Sequence, residues 1–296
     1  MSLILHFDDE RDAARRLADA AGLDAVTIER HRFPDGELRL RLPPSLPATV
    51  VVFRSLDRPN EKLLELLLVA RTARQLGAER VALVSPYLAY MRQDIAFNAG
   101  EVVSQQVVGG FLADLFDDVI TIDPHLHRID SLDEAIPVMH AVALSGAPLL
   151  GELIAAHHEH PLLIGPDAES AQWVAQAAAA HGWASGVCTK QRQGDREVVI
   201  ELPAGLDPAG RAVVLVDDMA SSGRTVARAA EALLAAGAVS VDVALTHALF
   251  ADDALEVVKA AGVGEVWSTD SVAHPSNAVA VAPMLADALR DIGLLV

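Results

Sequence analysis

The sequence predicts an α/β fold of two tandem domains, each a mainly parallel sheet flanked by helices. Short aliphatic runs of strand type alternate with Ala- and Leu-rich stretches of helical period along nearly the whole chain, the order that specifies a parallel sheet wrapped by helices. The alternation occurs twice, in halves of similar length and element order, which fits two related domains better than one large sheet. The chain has 296 residues, 52% of them hydrophobic, enough core for two domains of about 100–150 residues. The expected division is 1–144 and 145–296, with the cut near Leu144 to Gly146. The last helical stretch, Pro283 to Ile292, suits either domain, and the sequence does not decide which.

In the first half, Thr49 to Phe53 reads as a buried strand, Asn60 to Leu76 as a helix capped by Asn60 and closed by Gly77, and Val81 to Ser85 and Val119 to Asp123 as further strands. In the second half, Leu162 to Gly165 is a strand and Glu169 to Ala180 a helix ending near Gly182. Val213 to Val216 is the next strand, Thr225 to Ala236 a helix closed by Gly237, and Val239 to Leu245 a strand. Glu37 to Leu42 breaks the pattern by alternating charged and apolar residues strictly, so it reads as a strand with one wet face, ended by Pro43 and Pro44.

Composition excludes several function classes. A formal net charge of −18 argues against a nucleic-acid surface, which needs clustered Lys and Arg to displace counterions. Cys188 is the only cysteine, so no disulfide forms within the chain and a reducing compartment is the simplest setting. The stretch MSLILHFDDERD has no basic leader character, and no run of about 18 apolar residues occurs; the expectation is a cytoplasmic protein without a membrane span.

The segment richest in chemistry is Val213 to Thr225, VVLVDDMASSGRT. Four aliphatic residues form a strand, Asp217 and Asp218 stand where that strand is expected to run out, and a small polar loop leads into a helix. Ser221, Ser222, Gly223 and Thr225 are small enough to let a phosphate reach backbone N–H groups at a helix N-terminus, where the macrodipole favours an anion. The two carboxylates lie about one sugar-length away, suited to accept from vicinal ribose hydroxyls. The pattern describes a pocket for a ribose 5-phosphate; an acidic strand end followed by an N-capping Ser is the plainer alternative.

Other segments add to it. Arg32-Phe33-Pro34-Asp35-Gly36-Glu37 is a tight turn that projects an aromatic ring with two carboxylates, either a base-and-ribose contact or an ordinary polar β-turn. Ser85 to Asp94 follows a strand without helical or strand period and continues irregularly to a helix from about Val102. It lies at the carboxyl end of a parallel strand, where ligands of open α/β sheets bind, with Arg92 and Gln93 available to a nucleotide. His125, in Ile122-Asp123-Pro124-His125-Leu126-His127, and Asp167, after Gly165-Pro166, also follow strand ends and are candidates to hold Mg²⁺ directly or through water, although His is an unusual magnesium ligand. Lys190, Arg192 and Arg196 lie within seven residues, either to neutralise charge on a transferring phosphoryl group or as the solvated tip of a hairpin returning through Val198 to Leu202. His157-His158-Glu159-His160 reads as a solvated helix end.

In order along the chain, RFPDGE (32–37), SPYLAYMRQDIAFNAGEVVS (85–104), IDPH (122–125), GPDAES (165–170), TKQR (189–192), VVLVDDMASSGRT (213–225), THALF (246–250) and STDSVAHPSNAVAVAPMLADAL (268–289) resemble the ribose-phosphate pyrophosphokinase family. The resemblance implies two tandem phosphoribosyltransferase-like domains and transfer of the diphosphoryl group of MgATP to O1 of ribose 5-phosphate, giving AMP and phosphoribosyl pyrophosphate. It implies that Ser221, Ser222, Gly223, Arg224 and Thr225 hold the 5-phosphate and that Asp217 and Asp218 hold the ribose hydroxyls. ATP would meet Phe33, Asp35 and Glu37, in this family from a neighbouring subunit, together with Arg92, Gln93 and Asp94. His125 and Asp167 match metal positions for Mg²⁺, and Lys190 and Arg192 match a catalytic loop. The implied partners are ATP, ribose 5-phosphate and further copies of the chain, as a dimer or hexamer of dimers. Three departures stand out: Ile95 where a basic residue is usual, Leu126-His127-Arg128 after the metal position, and Arg224, which either adds a phosphate contact or crowds the loop. A phosphoribosyltransferase shares 213–225 but lacks the duplicated half; a non-catalytic regulatory homologue is the other alternative, opposed by the retained Lys190, Arg192, Asp217 and Asp218.

Overall fold

The computed structural model describes residues 2–193, 197–203 and 205–295, with the segment 190–200 described through its backbone. It divides into two compact units, residues 1–144 with 281–296 and residues 145–280.

The N-terminal unit begins β1 (Ser2–His6), α1 (Arg11–Ala21), β2 (Asp24–Thr27), then β3 (Glu29–Arg32) and β4 (Leu38–Arg41). It continues β5 (Thr49–Phe53), α2 (Pro59–Gln75), β6 (Arg80–Ser85), α3 (Ser104–Ala113), β7 (Asp118–Ile122) and β8 (His140–Leu144). The main sheet runs β2-β1-β5-β6-β7-β8 with every pairing parallel. Val50–Phe53 and Val81–Ser85 are buried throughout, as a sheet covered on both faces requires. The alternating Glu37 to Leu42 segment supplies β4, which pairs antiparallel with β3 as a separate two-stranded sheet.

The C-terminal unit continues α4 (Ala147–Ala155), β9 (Leu162–Gly165), α5 (Ala171–Ala179), β10 (Ser185–Val187), β11 (Thr189–Gln193) and β12 (Glu197–Glu201). Then come β13 (Ala212–Ala220), α6 (Arg224–Ala235), β14 (Ser240–Ala248), α7 (Ala254–Ala260), β15 (Val266–Thr269) and β16 (Asn277–Val279). Its parallel sheet has the order β10-β9-β13-β14-β15-β16. Leaving out the two hairpins, β3-β4 and β11-β12, each unit thus threads its sheet as second, first, third, fourth, fifth, sixth strand. Period-2 alternation divides the C-terminal core. Leu162, Ile164, Val213, Leu215, Val243 and Leu245 pack with Val226, Ala229 and Leu233 of α6. Leu163, Val214, Val216 and Ala244 pack with Leu150 and Ile154 of α4 and Trp173 and Val174 of α5.

The last helix, α8 (Ala282–Asp291), belongs to the N-terminal unit and packs on α1. The chain after it is tied down by Ser2 Oγ donating to Leu294 O at 2.6 Å and Arg80 Nη2 donating to Ile292 O at 3.1 Å.

Three local expectations are corrected. Asn60 does not cap α2; the helix starts at Pro59, whose missing N–H costs nothing at a first position, after Arg58 in the left-handed region at φ +52. Asn60 instead accepts the Tyr90 hydroxyl. β13 does not end before the acidic pair but runs on to Ala220, because β14 is as long and offers partners as far as Met219↔His247 and Ala220↔Ala248. His158 is not simply solvated: its Nε2 meets Asp242 Oδ2 at 2.9 Å, and the His157 ring lies 4.6 Å from that of Trp267.

At the carboxyl ends of β1 and β5 the N-terminal unit buries an ionic cluster. Arg54 is 1% exposed. Its Nη1 donates to Asp9 and Glu10, each at 2.9 Å, and its Nη2 to Glu65 at 2.5 Å, with the guanidinium 4.5 Å over the Phe7 ring. Burial opposes the Arg54 charge, but the three carboxylates more than offset it and raise its pKa. Burial pushes the Glu10 carboxyl up despite Arg54 and Lys62. Removing one member of a buried pair strands the other charge, at a cost of about 3–5 kcal/mol. Arg54→Ala is therefore expected to lower the stability of the N-terminal unit by that amount, measured by hydrogen exchange of β5 and β6 amides in denaturant; a loss under about 1 kcal/mol, the scale of a surface pair, would contradict it.

Candidate active site

In an open parallel sheet, ligands bind beyond the carboxyl ends of the strands where the winding reverses. In the C-terminal unit that place lies between β9 and β13, neighbours from which the chain winds outward in both directions. β9 ends in Gly165, and Asp167 follows, its side chain accepting from Glu169 N at 3.1 Å. β13 carries Asp217 and Asp218 and ends at Ala220. Asp218 is buried and Asp217 half-buried, and Asp217 Oδ1 accepts the Asp218 N–H at 3.0 Å. Burial pushes the Asp217 carboxyl well above the usual carboxylate range, and the charges of Asp218 and Asp167 push it further. Asp167 also helps burial raise the Cys188 thiol to about 11, which leaves that thiol protonated at neutral pH.

Beyond Ala220 the chain turns through Ser221 and Ser222 to Gly223, the N-cap of α6 at φ +68. Only glycine suits this point: a Cβ would meet Ala254 O and Val258 Cγ2, each at 2.8 Å, in a left-handed backbone. The N-cap residue, Gly223, brings no side-chain cap to α6, and the first-turn N–H groups of a helix have no acceptor within the helix itself. The turn is held from its other side, Leu249 N donating to Ala220 O at 3.1 Å and Ala251 N to Ser221 O at 3.0 Å. Arg224 is exposed at the first helical position and Thr225 is half-buried; Arg224 does not crowd the turn. Beside β13, the fully buried His247 shares a hydrogen bond with Ser271 Oγ at 2.8 Å, and Ser271 Oγ and Thr269 Oγ1 both donate to Thr246 O.

The two antiparallel strands β11 and β12 place Lys190 opposite Ile200 and Arg192 opposite Val198. The side chains of Lys190 and Arg192 lie outside the described residues.

In the N-terminal unit the β3-β4 hairpin carries Phe33, Asp35 and Glu37 at one tip. Phe33 N donates to Glu37 O at 2.8 Å, Gly36 N to Phe33 O at 2.9 Å with Gly36 at φ +97, and Glu37 N to Asp35 Oδ1 at 3.2 Å. The Phe33 ring is 38% exposed and meets His31 edge-on at 4.8 Å. Arg32 binds Glu61 of α2 through both terminal nitrogens at 3.1 and 2.5 Å, and Arg30 binds Glu65 at 2.5 Å. The hairpin is thereby anchored to α2 and to the Arg54 cluster.

The loop after β6 is anchored to the same helix by Tyr90, in the left-handed region at φ +66, through Asn60. Gln105, buried at the start of α3, donates from Nε2 to Met91 O and from its backbone N to Gln93 O, each at 3.2 Å. Arg92 is exposed, and Gln93 Nε2 donates to Ile95 O at 3.2 Å. The Asp94 side chain is 2% exposed; one oxygen meets Arg128 at 2.5 Å, while the other has no partner among the described residues. Arg128 so ties the loop after β6 to the loop of His125.

Sequence reasoning missed Arg54, Glu65 and Gln105. The one available signal was a cation directly after a fully apolar strand, Val50 to Phe53.

Comparisons with known proteins follow this division of the chain. A family model described as the N-terminal domain of ribose phosphate pyrophosphokinase matches residues 2–115, and one described as the phosphoribosyl transferase domain matches residues 141–281. The chain is 38% identical to a ribose-phosphate pyrophosphokinase of Methanopyrus kandleri, over 94% of this chain and 95% of the relative. It is 35% identical to that of Methanosarcina acetivorans with the same coverage. Among solved structures, phosphoribosylpyrophosphate synthetase from Mycobacterium smegmatis superposes with a TM-score of 0.85 at 22% identity, over 98% of both chains.

The raised Asp217 pKa sets a sign for stability. The folded chain holds this proton more tightly than the unfolded chain does, so the wild-type protein, free of metal and substrate, loses stability as pH rises from the usual carboxylate range through the folded-state value. Asp217→Asn removes the loss. The variant is expected to unfold at a higher temperature than the wild type near neutral pH, with the gap closing toward about pH 4. Tryptophan fluorescence reads the right unit, since Trp173, Trp183 and Trp267 all lie in it; a variant less stable than wild type at neutral pH would contradict this assignment.

Proposed function

The chain belongs to the ribose-phosphate pyrophosphokinase family, and on that premise we propose that it transfers the diphosphoryl group of ATP to O1 of ribose 5-phosphate. The products are AMP and phosphoribosyl pyrophosphate. The observation that carries the reading is the sequence of groups along one stretch of backbone: buried Asp218 and half-buried Asp217, a turn through small residues, and the uncapped start of α6.

In this reading the 5-phosphate sits on the N–H groups and hydroxyls of Ser221, Ser222, Gly223 and Thr225, with Arg224 adding charge. Asp217 and Asp218 accept from the ribose hydroxyls, which fixes the sugar with its anomeric hydroxyl presented outward. That oxygen attacks Pβ in line; the O1–Pβ bond forms, the bond from Pβ to the oxygen bridging to Pα breaks, AMP leaves with that oxygen, and the hydroxyl proton passes to water. Phe33 stacks on adenine, and Asp35 and Glu37 accept from its amine or ribose. Arg92, Gln93 and Asp94 complete the nucleotide seat. Lys190 and Arg192 offset charge that grows as the bond to Pα breaks.

The donor set suits Mg²⁺, because burial, with the charges of Asp218 and Asp167, pushes the Asp217 carboxyl well above the usual carboxylate range, and a hard dication relieves repulsion among carboxylates. Asp167 and His125 are the positions that the family resemblance gives to the ion, which would supply neutralisation of the phosphate oxygens. No helix among the described residues is long and apolar enough to cross a membrane. A cytoplasmic homo-oligomer, a dimer or hexamer of dimers in which the Phe33 hairpin serves a neighbouring copy, completes the proposal.

Purified protein given MgATP and ribose 5-phosphate is expected to form AMP and phosphoribosyl pyrophosphate in equal amounts; absence of AMP across a range of Mg²⁺ and phosphate concentrations would end the kinase reading. Lys190→Ala is expected to raise the barrier by about 2–4 kcal/mol through kcat with little change in KM. Equal losses in binding and turnover would contradict a role confined to the transition state.

A further inference from the structure

The loop after β6 leaves the core early. Leu88, Ala89 and Met91 are buried in the N-terminal core, but no residue of 92–101 joins it, and no helix forms before α3 at Ser104. Several of the ties in this stretch are polar and internal: Gln93 Nε2 donates to Ile95 O at 3.2 Å, Phe97 N to Glu101 Oε2 at 2.8 Å and Glu101 N to Asn98 O at 3.2 Å. The loop after β7 is the firmer of the two. Leu126 and Ile129 pack on the core and Leu132 lies within it. Leu126 N donates to Pro124 O at 2.8 Å, and Glu134 closes a capping box with Ser131 while its Oε1 accepts from Asp130 N at 2.9 Å. From this base Arg128, half exposed, reaches the other loop. Its Nη1 donates to Asp94 Oδ1 at 2.5 Å, and its guanidinium lies 6.0 Å from the centre of the Phe97 ring.

We infer that Arg128 is a positioning residue for the nucleotide seat: from the loop after β7 it holds Arg92 and Gln93 in place through Asp94, without touching the nucleotide itself. This deepens the proposed reading of the loop after β6 as that seat and rests on it. Arg128 is the single partner of the Asp94 carboxylate among the described residues, since that side chain is 2% exposed and its Oδ2 is buried without a hydrogen bond. A carboxylate so enclosed cannot turn to water when its cation is removed, so the loop must open to solvate it. Opening displaces Arg92 and Gln93, the two residues before Asp94 in the chain, and Phe97, three after it. The same enclosure makes Asp94 a support for the seat through Arg128.

The test measures equilibrium binding of MgATP to the full-length chain without ribose 5-phosphate, and then kcat and the KM of each substrate. The variants are Arg128→Ala, Arg128→Lys, Asp94→Asn and the double Arg128→Ala, Asp94→Asn. Arg128→Ala is expected to weaken ATP binding and raise the ATP KM about tenfold, the scale of one hydrogen bond to a charged group, with kcat and the ribose 5-phosphate KM nearly unchanged. Arg128→Lys should recover part of the loss by restoring the charge. The double variant should lose less than the product of the two single losses, as residues in direct contact do. Amide exchange should quicken across 92–101 in Arg128→Ala and not in β6 or β7, which separates a loosened loop from a protein that fails to fold. ATP affinity indifferent to Arg128, exchange quickened throughout β6 and β7, or a fall in kcat at constant ATP KM would overturn the inference. So would independent losses that multiply in the double variant, which would make Arg128 a direct ligand of the nucleotide. Phosphoribosyl pyrophosphate formed with an ATP KM indifferent to Arg128 sinks this inference alone, and Arg128-dependent ATP binding without any product sinks the kinase reading alone.

Discussion

Three carboxylates held against one another where the C-terminal sheet reverses its winding are the constraint around which the proposed site is built. Asp217 and Asp218 lie on one of the two strands that flank the reversal and Asp167 just beyond the other, and burial, with the charges of Asp218 and Asp167, raises the Asp217 pKa. A fold selected for stability alone would not bury such a group. The arrangement makes sense where a ligand brings donors for those oxygens, and a polyhydroxylated sugar or a dication does so. The turn that follows supplies the complementary half: the first-turn N–H groups of α6, which have no acceptor within the helix, gathered by a glycine whose place no larger residue can take.

The two units share strand order but use the reversal point in opposite ways. In the C-terminal unit it holds acidic groups beside an uncapped helix. In the N-terminal unit the equivalent place, beyond β1 and β5, is filled by Arg54 clasped between Asp9, Glu10 and Glu65 on the face of Phe7. Charge there is matched internally, so the place serves as an anchor. From it the Arg30 link holds the β3-β4 hairpin, and the first turn of α2 takes both Arg32 and, through Asn60, the loop of Tyr90. In the N-terminal unit the residues proposed to meet the nucleotide lie instead on a hairpin and a long loop.

Much of this was legible in the chain because it rests on local rules. The strands Thr49–Phe53 and Leu162–Gly165 were read to the residue, since unbroken aliphatic runs between turn signals admit few alternatives. What escaped depended on partners far away in sequence. The acidic pair resembles a strand end, yet β14 is long enough to carry β13 past it. The histidine run before Pro161 looks solvated, yet Asp242 lies 84 positions on and pairs with His158. Asn60 is a common capping residue, but the left-handed Arg58 and Pro59 had already started the helix. The candidate site divides in the same way: the turn at 221–225 and the acidic pair are contiguous in sequence, whereas Gln105 under Met91 and Arg128 on Asp94 join loops that only the fold brings together.

The central claim is that a sugar phosphate is held by the backbone of residues 221–226. Amide hydrogen exchange with and without saturating ribose 5-phosphate reads those N–H groups directly. The account predicts protection concentrated in peptides spanning the end of β13 and the first turn of α6, with the hairpin at 33–37 unchanged until a nucleotide is added. Saturable ribose 5-phosphate binding that leaves exchange at 221–226 unaltered would contradict it.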